Sequence, residues 1–173
     1  MPMILFFFIF FSLYAGMHLY ALLKVRAAFV LGALPVFLMM IPMSVMVFAP
    51  VIIRISEKQG LEAFARCFSF IGYSWMGILF LFCSVSIVID AYRLLTYAAG
   101  FISGSDLTGI RLTARFSFMI PFLLSFVISA YGYFEARDIR IERLTISTRK
   151  IPKEISPLRI VQISDVHIGL IMR

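Results

Sequence analysis

Asp165 and His167 stand two residues apart in the stretch "ISDVHIG", residues 163–169, and they are the pair in this chain best suited to chemistry. In an extended segment successive side chains point to opposite faces, so an Asp-x-His triplet presents a carboxylate and an imidazole on the same side. An acidic oxygen and a ring nitrogen on one face are suitable first ligands for a transition metal. Gly169 follows, where the backbone can turn or a substrate can come close. Upstream, Ile160, Val161 and Ile163 form a β-branched run that predicts an interior strand. A second strand is expected around Leu144 and Ile146, which alternate with Thr145 and Ser147. Pro152 and Pro157 confine the link between the two to turn or extended backbone.

The elements that must position this pair are of a different kind. Of the 173 residues, 62% are hydrophobic and only 14% charged, and mean hydropathy is +1.00. Soluble proteins carry about 25% charged residues, so the composition is that of a membrane protein. Residues 1–23, 27–53, 67–89 and 116–134 contain no Asp, Glu, Lys or Arg. Each meets the roughly 17–25 apolar residues needed to cross a hydrocarbon core of about 30 Å. The expected organisation is a mostly α membrane bundle of four transmembrane helices over 1–135, with spans at about 3–23, 27–53, 67–89 and 116–134. A separate segment then occupies 136–173. No Lys or Arg precedes the first span and no small-x-small cleavage pattern follows it, which reads as a retained helix rather than a signal peptide. Cys67 and Cys83, 16 apart in one span, are too far separated along a helix to bridge.

The formal charge of +7 is distributed as a topology signal. Arg54, Lys58, Arg66 and the tail residues Arg137, Arg140, Arg143, Arg149, Lys150 and Lys153 lie on one side of a four-span arrangement. Lys24, Arg26, Arg93, Arg111 and Arg115 lie on the other. The positive-inside rule therefore predicts a multi-pass cell-membrane protein with a cytoplasmic carboxyl-terminal segment. No nucleic-acid partner is expected, because the basic tail lacks interleaved aromatic residues for base stacking.

Within the spans the sequence offers few polar groups. His18 is the sole ionisable side chain inside any of them, one turn after Tyr14, where it reaches the headgroup layer or shares a hydrogen bond. The scarcity of mid-membrane polar residues argues against a carrier or a pump. Pro35 and Pro42 predict a bend within the second span, and "EKQGLEAFAR" (57–66) a short interfacial helix. Asp90 and Arg93, three apart, close the third span as a solvated end-cap or, alternatively, as a pair at the interface, and the Gly-rich residues 94–110 read as a connection.

Two stretches, "YGYFEARDIRIERLTI" (131–146) and "ISPLRIVQISDVHIG" (155–169), resemble the calcineurin-like metallophosphoesterases, in particular their membrane-tethered branch. That family folds as an α/β/β/α sandwich holding two divalent metal ions of the Mn, Fe or Zn type. The resemblance implies that 136–173 begin such a sandwich with its first one or two β-strands, and that Asp165 and His167 ligate the first metal. It implies phosphoester hydrolysis by a water activated between two metals. The lipid bilayer is the expected partner, and a phospholipid or lipid-linked phosphoester the expected substrate. The family's later motifs, Gly-Asp-x-x-Asp, Gly-Asn-His-Asp/Glu and Gly-His-x-His, do not occur here. The expectation is thus a truncated front part of a longer enzyme, with no catalytic residue of its own and no metal stably held. The alternative is a non-enzymatic multi-pass membrane protein with a basic cytoplasmic tail.

Overall fold

The computed structural model describes residues 2–138, 143–145 and 159–163, and the described chain is helical. Helix α1 (Pro2–Phe29) is the first charge-free run extended by two turns. Arg26 lies in its last turn, where a cation complements the carbonyl end of the helix dipole. The helix closes as a Schellman turn, with Leu31 N–H donating to Arg26 O at 3.1 Å. Val30 takes the left-handed position, φ 53°, that glycine usually fills.

The second span is not the single helix over 27–53 expected from its composition. Its first residues belong to α1, and the remainder divides into α2 (Ala33–Val47) and α3 (Ala49–Lys58), which meet at 51°. The break falls at Phe48 rather than at Pro42, which passes inside α2. Pro50 suits this place: its ring crowds the carbonyl of the preceding turn and supplies no N–H, which costs nothing in the first turn of a new helix. The expected interfacial helix over 57–66 is also absent. Residues 57–58 end α3, Gly60 turns the chain with φ 76°, and residues from Glu62 onward open α4.

Helix α4 (Glu62–Ser103) is 42 residues long, about 63 Å at 1.5 Å per residue, twice the thickness of a hydrocarbon core. It runs through Asp90 and through the stretch expected to be a connection, and ends only at Gly104, whose φ of 65° is the left-handed cap. The chain then folds back along α4. Tyr92 Oη donates to Ile110 O at 2.8 Å, and the Arg111 guanidinium lies 5.2 Å from the centre of the Tyr97 ring. Within this return, the hydroxyl and backbone N–H of Thr108 hold the Asp106 carboxyl below the usual carboxylate range. Helix α5 (Ala114–Glu135) starts from a Thr113 cap and runs antiparallel to α4, placing Phe118 against Phe82 and Phe29.

Among the described residues three helices are long and apolar enough to cross a membrane, or four if the bent pair α2 and α3 makes one span. Small residues let them approach. Ser117, Pro121 and Ser125 stand four apart on α5 and are fully buried. Where α3 meets α4, a Cβ on Gly72 would lie 3.1 Å from the Ala49 Cβ, a tight contact that would press the two helices apart. Close backbone approach through small residues is how helices associate where lipid supplies no hydrophobic drive.

The expected β-strands are not found among the described residues, and the sandwich start that they were to form is overturned. Leu144, Ile160, Val161 and Ile163 are in neither strand nor helix and stand 78–85% exposed. A β-branched run becomes a strand only when another strand satisfies its backbone and a layer covers its face. Neither is present among the described residues, so propensity alone does not order them.

Candidate functional site

Asp165 and His167, the proposed metal ligands, lie outside the described residues. Among the described residues no group of three or more His, Cys, Asp or Glu is placed to hold a metal ion. Ile160, Val161 and Ile163, expected as interior support for that pair, are solvent-facing instead.

The polar chemistry that the structure does assemble lies between α1 and α4. His18, 4% exposed, bonds at both ring nitrogens: Nδ1 lies 2.8 Å from Tyr14 O, and Trp75 Nε1 lies 2.9 Å from His18 Nε2. An indole N–H can only donate, so Nε2 must accept, and the ring proton belongs on Nδ1, from which it donates to the Tyr14 carbonyl. Both nitrogens are thereby used with the ring neutral. Such a histidine is a clamp between helices and has no lone pair left for a metal or a proton. Of the two roles open to His18 on sequence grounds, the shared hydrogen bond is the one realised. The Tyr14 ring packs edge-on against it at 4.6 Å, and the Tyr14 hydroxyl is buried without a partner among the described residues.

Fifteen residues along α4 from Trp75 a second group forms. Asp90 Oδ1 takes the Lys24 ammonium at 2.5 Å, and Asp90 Oδ2 accepts from Tyr20 Oη at 2.6 Å. Arg93 approaches the same carboxylate only to 3.8 Å. Sequence reading paired Asp90 with Arg93 as a solvated end, whereas its principal partners come from α1, 66 and 70 residues away. No local pattern announces a contact of that range. Trp75 carried one faint signal as the single tryptophan of the chain.

Together the two groups fix the path of the chain. Trp75 meets α1 at His18 and Asp90 meets it at Tyr20 and Lys24, so α1 and α4 run parallel. Residues between them must return across the same thickness, and α2 with α3 does so. Conversion of Trp75 to Phe keeps an aromatic ring but leaves His18 Nε2 buried without a donor. The expected cost is about 1 kcal/mol, typical of a hydrogen bond between membrane helices. Equilibrium unfolding in detergent measures it, and combining the change with His18→Leu should cost less than the sum of the two.

No protein-family model matches this chain, nor does any curated protein or solved structure.

Proposed function

We propose that the chain is the membrane-anchoring part of a metal-dependent phosphoesterase, with Asp165 and His167 ligating the first of two divalent metal ions of the Mn, Fe or Zn type. The observation that carries this reading is the Asp-x-His pair itself, closed by Gly169 and preceded by the stretch that resembles the metallophosphoesterases. In such a centre the metals bring a bound water towards a neutral pKa and clamp the phosphate oxygens during in-line attack. Such a centre needs more donors than these two.

Geometry supports a bilayer anchor. Parallel α1 and α4, with α2–α3 and α5 returning between them, bring the start of α1 and the end of α5 to one end of the bundle. The basic tail follows Glu135 at that end, which the positive-inside rule makes cytoplasmic. Asp165 is 30 residues beyond Glu135. A chain of that length reaches at most about 100 Å, so the pair is tethered to the bilayer by the helices before it. The substrate class that placement supports is a phospholipid or lipid-linked phosphoester.

Metal removal tests the reading. The protein extracted from membranes should hydrolyse a phosphodiester, lose that activity to a chelator and regain it with Mn²⁺. A second reading, a non-enzymatic multi-pass protein with a basic tail, is favoured by the exposure of Leu144, Ile160, Val161 and Ile163. No hydrolysis at all decides for it, whereas hydrolysis that ignores the chelator removes the metal-dependent reading alone.

A further inference from the structure

The outer side of α4 carries a second seam that no described residue covers. Tyr73, Phe80, Ile87, Leu94 and Phe101 recur every seven residues and are 46%, 61%, 61%, 67% and 82% exposed. Four residues after each of the first four stands a small one: Gly77, Ser84, Ala91 and Ala98. The spacing alternates three and four over 28 residues, the repeat that keeps one stripe facing a partner helix. We infer that this seam is a self-association surface on which the α4 helices of two copies of the chain pack in parallel.

Several observations choose a second copy over lipid alone. Acyl chains would cover Tyr73, Phe80 and Ile87, but the seam continues past Asp90. Lys24, Arg26, Arg93 and Arg115 are the charges at that level, and an apolar layer that ended with them would leave Leu94 and Phe101, 67% and 82% exposed, in water. The occupant must therefore be equally long and apolar on both sides of that level. Another copy inserts with the same orientation, so its α4 is parallel, of equal length and in register about a two-fold axis. Each large side chain then enters a hole with two of the partner's small residues in its wall.

Gly77 gives independent support. A Cβ there would meet nothing within 4 Å, so the fold of one copy does not require glycine at a position where it is the poorest helix former except proline. A close neighbour does require it. The hydroxyl of Ser84 is already spent on the Phe80 carbonyl at 2.9 Å, which leaves the seam apolar. With aromatic side chains burying about 150–250 Å² each when fully covered, the exposed parts of the five large residues come to roughly 500 Å² per copy. Two copies thus reach the approximately 1,000 Å² that a specific interface must clear.

Disulfide mapping of the whole chain in lipid nanodiscs or native membranes tests this. Exposed Cys67 is first replaced by Ser, while buried Cys83 stays. Single cysteines at Ala91 and Ala98 face their own copies across the axis and should oxidise to a dimer on a non-reducing gel. A cysteine at Ala99, exposed but on a different face of α4, should not. Gly77→Leu should abolish the dimer while leaving helix content and the unfolding midpoint unchanged or raised. Equal crosslinking at 91, 98 and 99, no crosslinking at any of them, or a dimer that survives Gly77→Leu overturns the proposal.

Discussion

Alanine at Asp165 or at His167 is expected to lower metal-dependent phosphoester hydrolysis by at least about a hundredfold. That floor comes from outer-shell partners of metal ligands, whose loss alone costs about 10–100-fold in affinity or activity. A directly bound carboxylate would do more, since it would supply both a ligand and a neutralising charge to the first metal. With either ligand gone the first metal is held weakly, and its water is no longer brought towards a neutral pKa. The expected signature is a shift in metal dependence. Higher Mn²⁺ should recover part of the His167→Ala activity, because a weakened site can be refilled by mass action. Val166→Ala, between the two ligands but contributing no donor, should behave as the parent protein does. Activity untouched by Asp165→Ala would remove the phosphoesterase reading.

How far such arguments could be carried from sequence depends on the range of the interaction concerned. The apolar helices were legible, because a run free of Asp, Glu, Lys and Arg is a local property that lipid acts on directly. Their ends were less so. "AAGFISG" looked like a connection because glycines usually interrupt helices, yet Gly100 sits inside α4. There a Cβ would lie 3.1 Å from the Arg111 guanidinium and 3.2 Å from Ser105 O, and only Gly104 adopts the left-handed turn that ends the helix. Similarly, three prolines in one apolar run could not say which of them breaks it. Pro35 lies in the first turn of α2, Pro42 is absorbed within it, and Pro50 begins α3. The strands failed for another reason: period and β-branching at Ile160, Val161 and Ile163 state a preference that needs a partner to be realised. On the site itself, the Asp-x-His pair was plain in the sequence. The clamp at His18 and the group at Asp90 join residues 57 to 70 apart, which no periodicity encodes.

Removing the Asp90 carboxylate is expected to destabilise the bundle by about 2 kcal/mol, and removing Lys24 by about half as much. A fully buried ion pair that loses one partner costs about 3–5 kcal/mol. An exposed one is worth at most about 1 kcal/mol, and Asp90, whose side chain is 39% exposed, lies between these limits. The asymmetry follows from what each deletion leaves behind. After Lys24→Ala, Asp90 keeps Tyr20 Oη at 2.6 Å and Arg93 at 3.8 Å, and water reaches it. After Asp90→Ala, the Lys24 ammonium, only 11% exposed, loses its carboxylate, and the Tyr20 hydroxyl loses its acceptor in the same step. The long lysine stem limits the damage by carrying the charge outward to the headgroups. Asp90→Asn separates charge from hydrogen bonding, since its amide oxygen can still accept from Tyr20 while the ion pair is gone; its cost should lie between those of the two alanines. Unfolding in detergent at low and high salt reads all three, and a more damaging Lys24→Ala would show that Asp90, not Lys24, depends on the pairing for its place between α1 and α4.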